Sequence, residues 1–139
     1  MPIEIHWPIP QRVLYVKTGQ VVNTEDVLRI NEQMLRALDG ASPALPVHLL
    51  GNATQMEALD VVIPTGIRAS TYLDHPATGC VSLYGLSGMN RIVLKVTGRL
   101  ASVFTVYPVT IHADYALAAA HVRHTDPAIQ LPHEELPEW

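Results

Sequence analysis

Residues 3–7, read as Ile3, Glu4, Ile5, His6 and Trp7, alternate apolar and polar side chains, the period of a strand with one face in the core. Residues 12–17 (Arg-Val-Leu-Tyr-Val-Lys) follow Pro8 and Pro10 and stop before Gly19, so the two segments predict an antiparallel hairpin with a proline-blunted edge. The period then changes. Val27, Ile30, Met34 and Leu38 recur at spacings of three and four, behind Asn23 and Thr24, whose side-chain oxygens suit a helix N-cap. Glu25 and Asp26 place negative charge in the first turn, and Gly40 and Pro43 close the helix. Residues 46–50 form a short apolar run without alternation, as expected of a central strand covered on both faces. Residues 52–62 show no period and read as a loop with one turn of helix. Beyond them the pattern predicts a second helix from Thr65 or Gly66 to about Leu73 and a fourth strand over 79–84. A third helix opened by Ser87, a fifth strand over 103–107, and a last helix capped by Asp114 with Ala118, Ala119 and Val122 toward the sheet complete the pattern.

Strands alternating with helices imply parallel pairing through right-handed crossovers. The expected fold is therefore α/β: a small open mixed, mostly parallel sheet of about five strands, with an antiparallel edge hairpin and about four helices. It forms one domain over residues 1–127. Residues 128–139 hold Glu134, Glu135 and Glu138 beside Pro132 and Pro137 with no Lys or Arg, and read as a mobile acidic tail.

Composition narrows the function classes. With 139 residues, 48% of them hydrophobic and 16% charged, the chain can bury a single core without disulfides or a structural metal. No apolar run approaches the roughly 18 residues of a membrane-spanning helix, and the first residues lack a basic stretch followed by an apolar one. The expected address is cytoplasmic, away from membranes. The single cysteine, Cys80, excludes an intrachain disulfide and a cysteine-pair zinc site. Nine scattered basic residues against thirteen acidic ones form no stripe that could track a phosphate backbone, so nucleic acid is not an expected partner.

Three stretches resemble the STAS domains of SpoIIAA-like anti-sigma factor antagonists and sulfate transporters. Residues 47–52 (Val-His-Leu-Leu-Gly-Asn) stand where that family has its central strand, and residues 64–67 (Pro-Thr-Gly-Ile) where it has Asp-Ser-Ser-Gly-Leu. Residues 94–120, running through Leu-Lys-Val-Thr-Gly-Arg-Leu-Ala-Ser-Val-Phe to an alanine-rich helix, look like its Leu-Thr-Gly segment and terminal helix. The resemblance implies a non-enzymatic regulatory or protein-interaction module. In the antagonist branch a serine opening the second helix is the phosphoswitch. Here that position is Pro64, preceded by Ile63 instead of an acidic residue, so the usual phosphorylatable serine is missing, while Thr65 and Gly66 match the next two positions. Thr65 is either a plain N-cap or the modified residue in its place, since a helix N-terminus favours phosphate.

Candidate chemistry adds alternatives. Asn52, Thr54, Thr65, Arg68, Ser87 and Asn90 would line the rim at the carboxyl ends of the parallel strands, near a topological switch point. There, with Gly66, they suit hydrogen bonding to a protein partner or a small ligand, an anion or nucleotide. Gly85-Leu86-Ser87-Gly88 has the strand-to-helix placement of a hydrolase elbow, but Met89 replaces the second glycine that turn requires. His121 and His124, three apart, fall short of a metal site, and His48 in an apolar strand reads as a hydrogen-bonded core histidine. The reading is thus an interaction module with an unidentified protein partner, with no catalytic residue, metal or cofactor. A ligand sensor is the alternative, a serine hydrolase the least favoured, and pairing of edge strands offers a route to a homodimer.

Overall fold

The computed structural model describes residues 3–60, 68–86 and 109–139. A five-stranded sheet runs in the order β1 (Glu4–Ile9), β2 (Val13–Lys17), β4 (Val47–Asn52), β6 (Thr78–Tyr84), β7 (Val109–His112). The β1–β2 pair is the antiparallel hairpin, and the three remaining pairings are parallel. A second, two-stranded parallel ladder joins β3 (Val21–Asn23) to β5 (Ala58–Asp60). The described residues contain two α-helices, α1 (Thr24–Leu38) and α2 (Tyr115–Thr125), and a 3-10 turn, Thr71–Asp74.

Both faces of the sheet are covered, which is why β2 and β4 are buried along nearly their whole length and show no apolar–polar alternation. Alternation sends Leu14, Val16, Val47, Leu49 and Val81 to one face, where they pack on Met34 and Leu38 of α1 and on Tyr72 and Leu73 of the 3-10 turn. Val13, Tyr15, Leu50, Cys80 and Tyr84 occupy the other face, beneath Tyr115, Ala118, Ala119 and Val122 of α2. The alanines are fully buried, and their small side chains let the helix backbone lie close to the sheet.

Helix α1 starts where its cap residues place it. The Asn23 side chain accepts from the Asp26 N–H at 3.0 Å while the Asp26 carboxylate accepts from the Asn23 N–H at 3.1 Å, a reciprocal capping box. Asp114 caps α2 through the Leu117 N–H at 3.0 Å.

Several expectations need correction. The stretch read as a loop over 52–62 holds the end of β4 and the short strand β5, which pairs with β3 beyond the main sheet. Three residues are too few to print a period. The described end of the expected second helix is a 3-10 turn, fastened by Asn31 of α1, whose Oδ1 accepts from the Tyr72 N–H at 3.0 Å. The strand flanking β6 is Val109–His112, whereas 103–107 and the third helix from Ser87 lie outside the described residues. From β2 to β7 the strand order advances in one direction, so among the described strands there is no reversal and no switch-point crevice.

The segment after α2 is not a free tail. It crosses the second face of the sheet beside α2 with Ile129 and Leu131 buried, and Trp139 packs on the same cluster. Its acidic and proline content concealed three apolar anchors, each able to contribute roughly 1.5–3 kcal/mol if fully buried.

Candidate functional site

At the carboxyl ends of β2, β4 and β6 the covered face turns polar. Tyr15, Asn52 and Tyr84 are all buried there. Asn52 donates through Nδ2 to the Tyr15 hydroxyl at 3.0 Å and to Glu135 Oε1 at 2.8 Å. Its Oδ1 accepts from the Thr54 N–H at 3.0 Å and the Thr54 hydroxyl at 2.7 Å, which fixes the orientation of the amide. The Tyr15 hydroxyl in turn donates to Glu135 Oε1. Burial, then the Glu135 carboxylate, push the Tyr15 phenol up to about 12, so it remains a donor at neutral pH. Burial also raises Tyr84, whose hydroxyl sits beside Tyr15 and Glu135 without a hydrogen bond of good geometry to either. Aromatic rings wall the cluster: Trp139 lies 5.1 Å from Tyr15 and 5.9 Å from Tyr115, centroid to centroid.

A second, partly buried constellation lies at the opposite end of β4. His48 is fully buried. Its Nδ1 accepts the Cys80 N–H at 2.9 Å, so the ring proton sits on Nε2 and is donated to Asp126 Oδ2, also at 2.9 Å. The sequence shift between β4 and β6 explains the free Cys80 amide: Thr78 pairs with Val47 and Val81 with Leu49, leaving Gly79 and Cys80 together opposite His48. A Cβ on Gly79 would collide with the His48 ring. Arg12 completes the group, bonding Asp126 Oδ2 at 2.9 Å and the Pro46 carbonyl at 3.0 Å. Burial holds His48 below the usual histidine range, against the opposing pull of Asp126. Burial would raise the Asp126 carboxyl, but the hydrogen bond from His48, the Arg12 guanidinium and the Ala128 N–H together keep it low.

Of the residues expected at the rim, Asn52 and Thr54 are brought together, with Asn52 buried and Thr54 exposed. The loop leaving β6 closes on them at Gly85, whose φ of +80° and contact with Thr54 require glycine. Arg68 is exposed, in the short helical stretch ahead of the 3-10 turn. Thr65, Gly66, Ser87 and Asn90 lie outside the described residues. Among the histidines the ring contact is between His112 and His121, 5.2 Å apart, and no described group of three His, Cys, Asp or Glu is arranged to hold a metal. Tyr15, Tyr84 and Glu135 escaped the sequence reading because the tyrosines sit in apolar runs and Glu135 in an acidic segment. The available signal was Asn52, a polar side chain ending a buried strand.

No family model and no curated protein matches the chain. Among solved structures it is similar to an uncharacterized protein of the DUF3478 family with a SpoIIAA-like fold from Shewanella loihica PV-4. That match has 17% identity and a TM-score of 0.57, covering 86% of this chain and 90% of that one. It is also similar to the anti-sigma factor antagonist SpoIIAA in its unphosphorylated form, with 14% identity and a TM-score of 0.52, covering 87% of this chain and 97% of that one. The chain therefore has a divergent STAS-like, SpoIIAA-like fold.

Proposed function

We propose that the chain is a non-enzymatic regulatory module that binds a protein partner through the start of its second helical segment, at Thr65, Gly66 and Arg68, without the usual phosphorylatable serine. The observation that carries this reading is the SpoIIAA-like fold, combined with Pro64-Thr65-Gly66 at the place where the resembling family has its switch. A fold alone does not fix a function. Supporting the non-enzymatic reading, two of the described buried polar side chains that could take part in chemistry are committed to structural bonds: His48 uses both ring nitrogens, and Asn52 its donors and acceptor alike. Thr65 is the residue proposed for modification, and a cytoplasmic address suits such a module. Among the described residues no helix is long and apolar enough to cross a membrane.

The test is affinity capture from native lysate by the chain and by Gly66→Arg, matched in melting temperature. A specific protein is expected to bind the parent, with at least a tenfold weaker Kd for the variant when the pair is reconstituted from purified proteins. Equal affinity of both chains would reject the placement of the surface. If neither chain retains a protein, attention turns to the small-ligand reading at the rim near Gly66 and Ser87, tested by an anion and nucleotide panel in thermal denaturation. The mass of the purified chain separates a heterologous partner from a homodimer through the β1 edge.

A further inference from the structure

We infer that Tyr15, Asn52 and Tyr84 form a carboxylate-recognition site for an acidic peptide, which the chain fills with its own Glu135. The site is independent of the surface at Gly66 proposed above. Its donors are uncharged and buried, and they converge from three adjacent strands on one point. The internal occupant fits incompletely: the bonds from Tyr15 and Asn52 both end on Glu135 Oε1, while the buried Tyr84 hydroxyl lies beside them without a hydrogen bond of good geometry. An unpaired buried hydroxyl is costly, so a ligand carboxylate spanning all three donors gains a bond that Glu135 leaves unmade.

The occupying segment also shows how it would leave. Ile129 and Leu131 are buried anchors, and the Pro132 carbonyl accepts from the Tyr115 hydroxyl at 2.8 Å. Beyond Pro132 the segment belongs to no helix or strand and is held mainly by Glu135 and by Trp139 between Tyr15 and Tyr115. Entry of a peptide would require residues 133–139 to lift while the anchors at 129–132 stay seated. The ligand class follows from what they present: a carboxylate four residues ahead of an aromatic side chain, in an extended acidic peptide. Tethering gives the internal segment an effective concentration of about 1 mM, so it acts as a built-in competitor.

The experiment uses the full chain with Glu135→Ala and Trp139→Ala together, and a fluorescein-labelled peptide of residues 132–139 followed by anisotropy. Saturable binding is expected, at least tenfold tighter than to the parent chain. It should weaken at least tenfold when the peptide's counterpart of Glu135 is glutamine, and again when Tyr15→Phe is added to the protein. No saturable binding to a cooperatively melting variant, or equal binding of the glutamine peptide, overturns the inference. If the variant does not melt cooperatively, the parent chain is labelled with fluorotryptophan and titrated with excess unlabelled peptide. Movement of the Trp139 resonance without that of Trp7 supports the site, and an unmoved Trp139 overturns it. A concentration-dependent dimer lost in Glu135→Ala would put a second copy's segment in the site and equally overturn the free-peptide assignment.

Discussion

His48 sits near the start of a buried strand, and its two ring nitrogens bridge the β6 bulge and a carboxylate 78 residues further along the chain. Protonating it would set Nδ1–H against the Cys80 N–H on a fully buried ring. Its folded-state pKa is therefore below that of the unfolded chain, near 6.5, and the unfolded state takes up the proton first. Stability should fall as pH drops below about 6.5, with a second loss below about pH 4 as Asp126 is protonated, its carboxyl being held low in the fold. His112, lowered by burial and then by the His121 charge, acts in the same direction, so the His48 share is isolated by difference. Denaturant melts of the parent between pH 7 and 5 should show a steeper loss than those of His48→Asn. Parallel curves would mean that His48 does not titrate as described. Gly79→Ala should destabilise the chain by about 1–3 kcal/mol through overpacking against the ring, measured at pH 7. The sequence already marks His48 as a core histidine, because a lone polar residue stands in an apolar run. Its partner is not legible there, since nothing local ties Asp126 to β4.

Elements were most legible where a period and a cap agree. Helix α1 has both, and Asn23→Ala should cost about 1 kcal/mol by opening the capping box, measured by urea denaturation. A loss within error would show that the Asp26 side of the box suffices. The β1–β2 hairpin was predicted from alternation and proline, though its turn carries a cost the sequence hides: Gln11 adopts φ of +62°. Gln11→Gly should raise stability by roughly 0.5–1 kcal/mol, since glycine takes this conformation without the Cβ clash. An unchanged or lower value would show that the Gln11 side chain compensates. Short elements were not legible. β3 and β5 span three residues each, and the 3-10 turn is set by Asn31 from another element, a tertiary cause that no local pattern records.

At the scale of the whole molecule, the order of elements predicted a mostly parallel five-stranded α/β sheet, and the SpoIIAA-like fold agrees. The covering of its second face was not predicted. Composition described residues 128–139 as a mobile tail, yet Ile129, Leu131 and Trp139 are spaced to land on a sheet whose own residues, Tyr15 and Leu50, need cover. Ile129→Ala should therefore cost about 2–4 kcal/mol, as in a core and unlike a free tail, where the change would be near zero. The candidate site was only partly legible for the same reason: Asn52 is visible at the end of its strand, whereas Glu135 reaches it from 83 residues away. The proposed function rests on the surface around Gly66. The most direct test is the hydrogen-exchange footprint of the chain bound to its captured partner. The account predicts new protection centred on residues 62–74, absent with Gly66→Arg. Protection confined to the β1 edge or the α2 face, with 62–74 unchanged, would contradict it.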